Sequence, residues 1–435
     1  MQLYSTNNKA LRVSFKEAIF NSMPQDKGLY MPVQIAKLDQ VFIDTLEQHS
    51  LSEIAYQIAS TLLADEIPQH DLKALIDDAV NFDAPVQKLG EQIFVLELFH
   101  GPSLAFKDFG ARFMSRVMAY FLKDGEQLLD VLVATSGDTG GAVALGFLGV
   151  PNTRVTILFP KGKVSDIQRL QLTTNGQNIR AIAVDGTFDD CQSLVKQAFA
   201  DEELQERFRL TSANSINIAR LIPQTFYYFN AYAQLKRQGF KNVVFSVPSG
   251  NFGNIGAGLL AYKMGLPVQQ FIAATNLNDT VPRFLETGIY ETKPSVQTYA
   301  NAMDVGAPSN WVRIMDLFDQ DRSAIKELVK AYRFTDEETL AGIEEIYAKF
   351  NYVVCPHTAI AYLAVKEYAE VNADSDTAKV FLSTAHACKF PNYLAIDASV
   401  LQLPAQVGKL HECEEVYTEL GKDFEGFKRY LLNAD

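Results

Sequence analysis

The chain has 435 residues, of which 48 % are hydrophobic and 21 % charged, and its formal net charge is −13. That length exceeds one ordinary core, so two or three domains are expected, and the globular composition excludes a disordered chain. The negative excess repels polyphosphates and acidic membrane surfaces, so neither nucleic acid nor membrane is expected as a partner, although one basic pocket for a small anion remains possible.

The start, MQLYSTNNKALRVSF, carries no apolar run and no cleavage-like site, so no secretory signal is expected. Residues 1–90 read as a mostly helical N-terminal unit. EIAYQIASTLL and DLKALIDDAV both place apolar residues at helical spacing. From there strands and helices alternate. IFVLEL (93–98) is a strand, and a helix follows from about Asp108, with Phe109, Phe113, Val117 and Phe121 four residues apart. LLDVLVAT (128–135) is a strand that breaks into a helix at SGDTGG. RVTILF (154–159) is a strand, and Ser165 caps a helix ending at Asn175-Gly176. IRAIAV (179–184) is a strand closed by Asp185-Gly186. Ile216–Gln238 reads as one long helix. VVFSV (243–247), QFIAAT (270–275) and KVFLST (379–384) complete the strands, and Thr335 with Glu338 forms a capping box between the last two.

Apolar strands separated by helices mean α/β architecture: two open, mostly parallel sheets with helices on both faces. The expected division is a large domain from 91–110 and 213–435 and a small one from 111–212. The longest apolar stretch, AVALGFLGV, falls far short of the ~20 residues that span a bilayer. The four cysteines, Cys191, Cys355, Cys388 and Cys413, form no C-x-x-C pair. Scattered thiols of this kind point to a reducing, cytoplasmic setting and away from zinc.

In open sheets of this class ligands sit beyond the carboxyl ends of the strands. Four segments stand there. In LFHGPSLAFKDFG (98–110), Lys107 sits among Leu104, Ala105, Phe106 and Phe109. A lysine in apolar surroundings loses hydration, its pKa falls, and the neutral amine can attack an aldehyde. The same position also suits an exposed lysine at a helix start. In ATSGDTGG (134–141), Ser136, Gly137, Asp138 and Thr139 can present N–H groups and hydroxyls to a carboxylate, or simply cap a helix. In VPSGNFGNIGAG (247–258), glycines open a helix and let amides close around a phosphate; glycines also serve close packing. The segment matches neither the Walker loop nor G-x-G-x-x-G. In FLSTAHACKF (381–390), Thr384 ends a strand, with His386 and Lys389 beside it. No H-E-x-x-H or G-x-S-x-G is present, so metal and serine hydrolase chemistry lack their motifs.

Together, LFHGPSLAFKDFG, ATSGDTGGA, SANSINIARL, SVPSGNFGN, ATNLNDTVPRF and STAHACKF, with GLYMP near the start, resemble the threonine synthases. This is a family within the fold type II pyridoxal-phosphate enzymes, and the likeness weakens beyond about 395. The resemblance implies Lys107 as Schiff-base lysine and Gly250, Asn251, Phe252, Gly253 and Asn254 as cofactor phosphate loop. It also implies Thr384 as partner of the pyridine nitrogen and Ser136 to Thr139 as the loop that takes the substrate carboxylate. Asp138 stands where many relatives in the wider fold carry Asn, and a carboxylate cannot donate as an amide does. Ala387-Cys388 departs from the Pro-Ala of the motif, and Cys388 reads as a packing residue. The implied reaction converts O-phospho-L-homoserine and water to L-threonine and phosphate, in a monomer or homodimer. A second phosphate site is then needed, with Lys389, Asn217, Arg220 and Arg283 as candidates. Two other readings stay open: a dehydratase or phospholyase on the same scaffold, and a non-catalytic phosphate- or nucleotide-binding protein.

Overall fold

Runs of Val, Ile and Leu build the centre of the molecule. The computed structural model describes residues 1–123, 128–372, 374–401 and 403–433. Strands β1 (Gln2–Ser5), β2 (Asn8–Ser14) and β3 (Tyr30–Pro32) form a small antiparallel sheet in the order β2-β1-β3. Four helices longer than one turn follow or interleave, including Leu51–Leu63 and Gln69–Ala79, whose apolar faces are buried. The N-terminal unit is thus helical with a three-stranded sheet that weak alternation had concealed.

The large sheet takes β4 (Val86–Lys88), β5 (Ile93–Glu97), β10 (Asn242–Pro248), β11 (Gln270–Thr275), β12 (Val329–Arg333) and β13 (Thr377–Ser383). Its order is β12-β11-β10-β13-β5-β4, parallel except for β4. The second sheet takes β6 (Leu129–Ala134), β7 (Thr153–Pro160), β8 (Ile179–Val184), β9 (Arg209–Ser212) and β14 (Thr418–Leu420), all parallel, in the order β14-β8-β7-β6-β9. The smaller unit therefore draws its edge strand from the end of the chain. The terminal helix Phe424–Leu432 adds Phe427 and Leu431 to the same core. The division of 111–212 from 213–435 omits that return.

The expected helix over 216–238 is broken. The structure has Ile218–Leu221 and then Gln224–Arg237, with Pro223 between them. Proline has no N–H for the helical ladder, and its ring clashes with the preceding turn. Between the sheets lies the Lys107–Leu122 helix, whose Phe109, Phe113 and Val117 are fully buried. Each such side chain contributes about 1.5–3 kcal/mol on burial. That helix starts where the loop after β5 meets the loop after β13. Phe106 N donates to the Thr384 carbonyl (2.9 Å), His386 N donates to the Leu104 carbonyl (3.0 Å), and Ala105 bridges Ala385. Lys107 and Thr384 are thereby locked together. No helix among the described residues is long and apolar enough to cross a membrane.

Candidate active site

Lys107 opens its helix and is half-buried. Its Nζ donates to Thr139 Oγ1 (2.9 Å) and lies 5.2 Å from the centre of the Phe106 ring. Burial strips the ammonium of water and brings its pKa down to about 8; Arg220 and Lys389 push the same way and Asp138 opposes them. The apolar surroundings read from the sequence thus produce an amine that loses its proton readily.

Facing Lys107 is the turn between β6 and the Asp138–Phe147 helix. Thr135 Oγ1 shapes it by accepting from the N–H groups of Gly137 (2.9 Å) and Gly140 (2.8 Å). Gly137 has φ +134°, and a Cβ there would stand 2.4 Å from the Gln168 side chain, so only glycine fits. Ser136 is half-buried at the turn. Asp138 is buried, and its Oδ1 meets Lys389 Nζ (2.8 Å) and accepts from Gln168 Nε2 (2.9 Å). Burial alone would raise the Asp138 carboxyl; the neighbouring ammonium outweighs it and holds the group below the usual carboxylate range. Lys389 is fully buried and also donates to the Ser103 carbonyl (2.8 Å).

The third wall is the turn after β10. A Cβ on Gly250 would lie 2.5 Å from Met303 Cα, which leaves no room for a side chain. Phe252 takes the left-handed conformation (φ 58°) before the Gly253–Lys263 helix and gives it no side-chain cap. The first N–H groups of that helix therefore point outward at its positive end. Asn251 is braced by Ser215 Oγ (2.7 Å) and by the Asn310 amide on its carbonyl (3.1 Å). Asn254 Oδ1 accepts from Tyr227 (2.8 Å) and Tyr228 (2.7 Å), while its buried Nδ2 makes no hydrogen bond among the described residues. Gly258, in contrast, serves packing, because a Cβ there would strike Phe271 and Tyr228. Thr384 is a buried residue, and its hydroxyl makes no hydrogen bond to the described protein residues. An uncapped helix start, an orphaned buried amide, a free hydroxyl and an amine of low pKa fit a phosphorylated aldehyde with a ring nitrogen.

The four candidates for a second phosphate separate clearly. Asn217 spends its amide on the carbonyls of Ile19 (2.8 Å) and Ser212 (3.1 Å), and its oxygen caps Ala219. Arg283 pairs with Asp279 (2.8 Å) and lines a cleft of about 670 Å³ beside β12, with Lys326, Lys330 and Arg333, which includes neither Lys107 nor Thr384. Lys389 is held by Asp138. Arg220 is buried, binds the Ala213 carbonyl through Nη1, leaves Nε unpartnered, and has no carboxylate partner among the described residues. Burial lowers its pKa to about 10, with Asp108 opposing.

One residue of the site, Gln168, has no place in the sequence reading. Gln168 stands at the third position of the Ser165-capped helix, a Ser-x-x-Gln box that marks it in the sequence. Nearby, His357 is buried, its Nε2 accepts from Ala302 N (3.1 Å), and burial brings its pKa down to about 4. It thus holds, in neutral form, the turn that packs on Gly250.

A family model described as pyridoxal-phosphate dependent enzyme matches residues 79–383. Models for the threonine synthase N terminus and C-terminal region match 2–80 and 358–431. The chain is 43 % identical over 435 residues to threonine synthase of Haemophilus influenzae, covering all of both chains. A crystal structure of threonine synthase from Escherichia coli superposes with a TM-score of 0.92 at 40 % identity, again over all of both chains. The PLP-bound threonine synthase of Brucella melitensis gives 0.90 at 36 % identity, over 99 % of this chain and 98 % of that one.

Proposed function

The chain belongs to the threonine synthases, pyridoxal-phosphate-dependent enzymes, and from that premise we propose that it converts O-phospho-L-homoserine and water to L-threonine and phosphate at Lys107. The observation that carries this is the half-buried Lys107 amine, hydrogen-bonded to Thr139, in a segment whose backbone is tied to Thr384.

Lys107 Nζ would hold the cofactor through its aldehyde carbon, the helix start at Gly253-Asn254 its phosphate, and Thr384 its ring nitrogen. When bound, pyridoxal phosphate supplies an electron sink beside the substrate α-carbon. Lys107 Nζ would serve there as the general base for the α-proton. The low pKa of the free Lys107 amine, about 8, favours the neutral form that attacks an aldehyde. Thr139 Oγ1 orients that nitrogen, and the turn at Ser136–Thr139 offers hydroxyls and N–H groups to the substrate carboxylate. Arg220, with an unpartnered Nε and no ion pair among the described residues, is the side chain we assign to the substrate phosphate. We infer a cytoplasmic setting from the four free thiols.

The test is incubation of purified protein with pyridoxal phosphate and O-phospho-L-homoserine, with threonine and phosphate measured together. Equal amounts of both support the proposal. Phosphate with a 2-oxo acid in place of threonine would overturn it in favour of a lyase on the same scaffold.

A further inference from the structure

The Asp138–Lys389 pair has a placement that neither helix capping nor substrate binding explains. Asp138 follows β6 of the five-stranded sheet and Lys389 follows β13 of the six-stranded sheet, so the 2.8 Å contact crosses between the two halves of the molecule. Side-chain exposure is 6 % for Asp138 and 0 % for Lys389, so water screens neither charge. Each has further bonds that fix it: Gln168 Nε2 on the carboxylate, and the Ser103 carbonyl under the ammonium. Asp138 precedes Thr139, whose hydroxyl holds Lys107 Nζ, and Ser103 lies in the loop that leads into Lys107. The pair thus touches both segments that position the amine.

We propose that Asp138 and Lys389 are positioning residues for Lys107, a buried ion pair that sets how tightly the Lys107 nitrogen holds its proton. This rests on the reading of Lys107 as the cofactor-bearing lysine. Around Lys107 stand Asp138 and Thr139 on one helix, Arg220 on a second, His357 on a third, and Lys389 on the turn after β13. His357 is neutral, so Arg220, the pair and the buried Asp108 carboxyl, which faces Lys389 and Arg220, supply the charge. Within the pair the two charges oppose each other at Lys107. Removing either leaves the other unbalanced in a site with little screening, and the two removals act with opposite sign.

The experiment follows the visible absorbance of the protein-bound cofactor against pH in four forms: wild type, Lys389→Met, Asp138→Asn and the double variant. Lys389→Met leaves a bare carboxylate, and the half-titration pH should rise by about one unit or more. Asp138→Asn leaves a bare ammonium, and it should fall by a similar amount. The double variant should return toward wild type. A pair with a purely structural role would lower stability in both single variants without moving the titration in opposite directions. Absent shifts, shifts of one sign, or a double variant that stays displaced would overturn the proposal. If Lys389→Met does not fold, Asp138→Asn decides by the sign of its shift. A titrating band that survives in Lys107→Ala would instead remove Lys107 as carrier, and the proposal with it.

Discussion

An amine that attacks an aldehyde must first shed its proton, and Lys107 does so near pH 8 where an ordinary lysine needs about 10.4. Below pH 8 the ammonium predominates and cannot attack; above it the neutral amine does. Cofactor uptake by the stripped protein is therefore expected to speed up as pH rises through about 8 and then level off. Stopped-flow absorbance measures this, and a rise centred near 10 would show a hydrated, ordinary lysine. Lys107→Ala should lose both turnover and visible absorbance. Thr384→Val deletes a hydroxyl that has no partner among the described residues, so the fold should stand while cofactor affinity falls. Unchanged affinity and kinetics in that variant would remove Thr384 from the site.

Helix starts connect these residues to the fold. Gln168 does two jobs from one position: its Oε1 accepts from Ser165 N (3.1 Å) to complete the capping box, and its Nε2 reaches Asp138. Ser165→Ala should cost about 1 kcal/mol, read from the urea midpoint, because one helix donor loses its partner. A loss below about 0.3 kcal/mol would mean that water replaces the cap. At the glycine turn, Gly250→Ala forces a Cβ against Met303 backbone, a strain of about 1–3 kcal/mol. Cofactor affinity should drop about tenfold or more as the turn opens. The elements that could be read from the chain were those with a one-dimensional signal. IRAIAV and QFIAAT coincide with β8 and β11 because both strands are mostly apolar and bounded by turns. VKAYR was overlooked because β12 lies at a sheet edge and is partly exposed, so its apolar pattern is diluted. The loops around Lys107, Gly250 and Thr384 were legible since their chemistry is local. The partners of Asp138 were not, because Gln168 comes from the helix after β7 and Lys389 from the turn after β13 of the other sheet, and only packing brings them to it.

Across the whole molecule, Arg313 ties the parts together. It is almost wholly buried and donates to the carbonyls of Tyr30 (3.3 Å), Ser215 (3.0 Å) and Ile216 (2.6 Å) and to Asn310 Oδ1 (2.7 Å). The N-terminal sheet, the segment after β9 and the brace on Asn251 thus share one guanidinium. Arg313→Met strands those acceptors and should lower stability by about 2–5 kcal/mol, with a matching loss of cofactor affinity. Arg313→Lys should not restore it, since an ammonium lacks the planar fork that meets four acceptors. Denaturant curves with and without cofactor measure both effects, and a loss below about 1 kcal/mol would show that the contacts are replaceable. The order of the strands also has a consequence in time. Ile93 in β5 pairs with Lys379 in β13, and Ile182 in β8 pairs with Thr418 in β14. At about 5–20 residues per second of synthesis, β5 waits roughly 15–60 s for its neighbour to leave the ribosome. Through that interval the nascent chain carries unpaired, apolar strand edges, which are templates for wrong association. Its yield in the cell should therefore depend on whatever shields those edges until the last strands arrive.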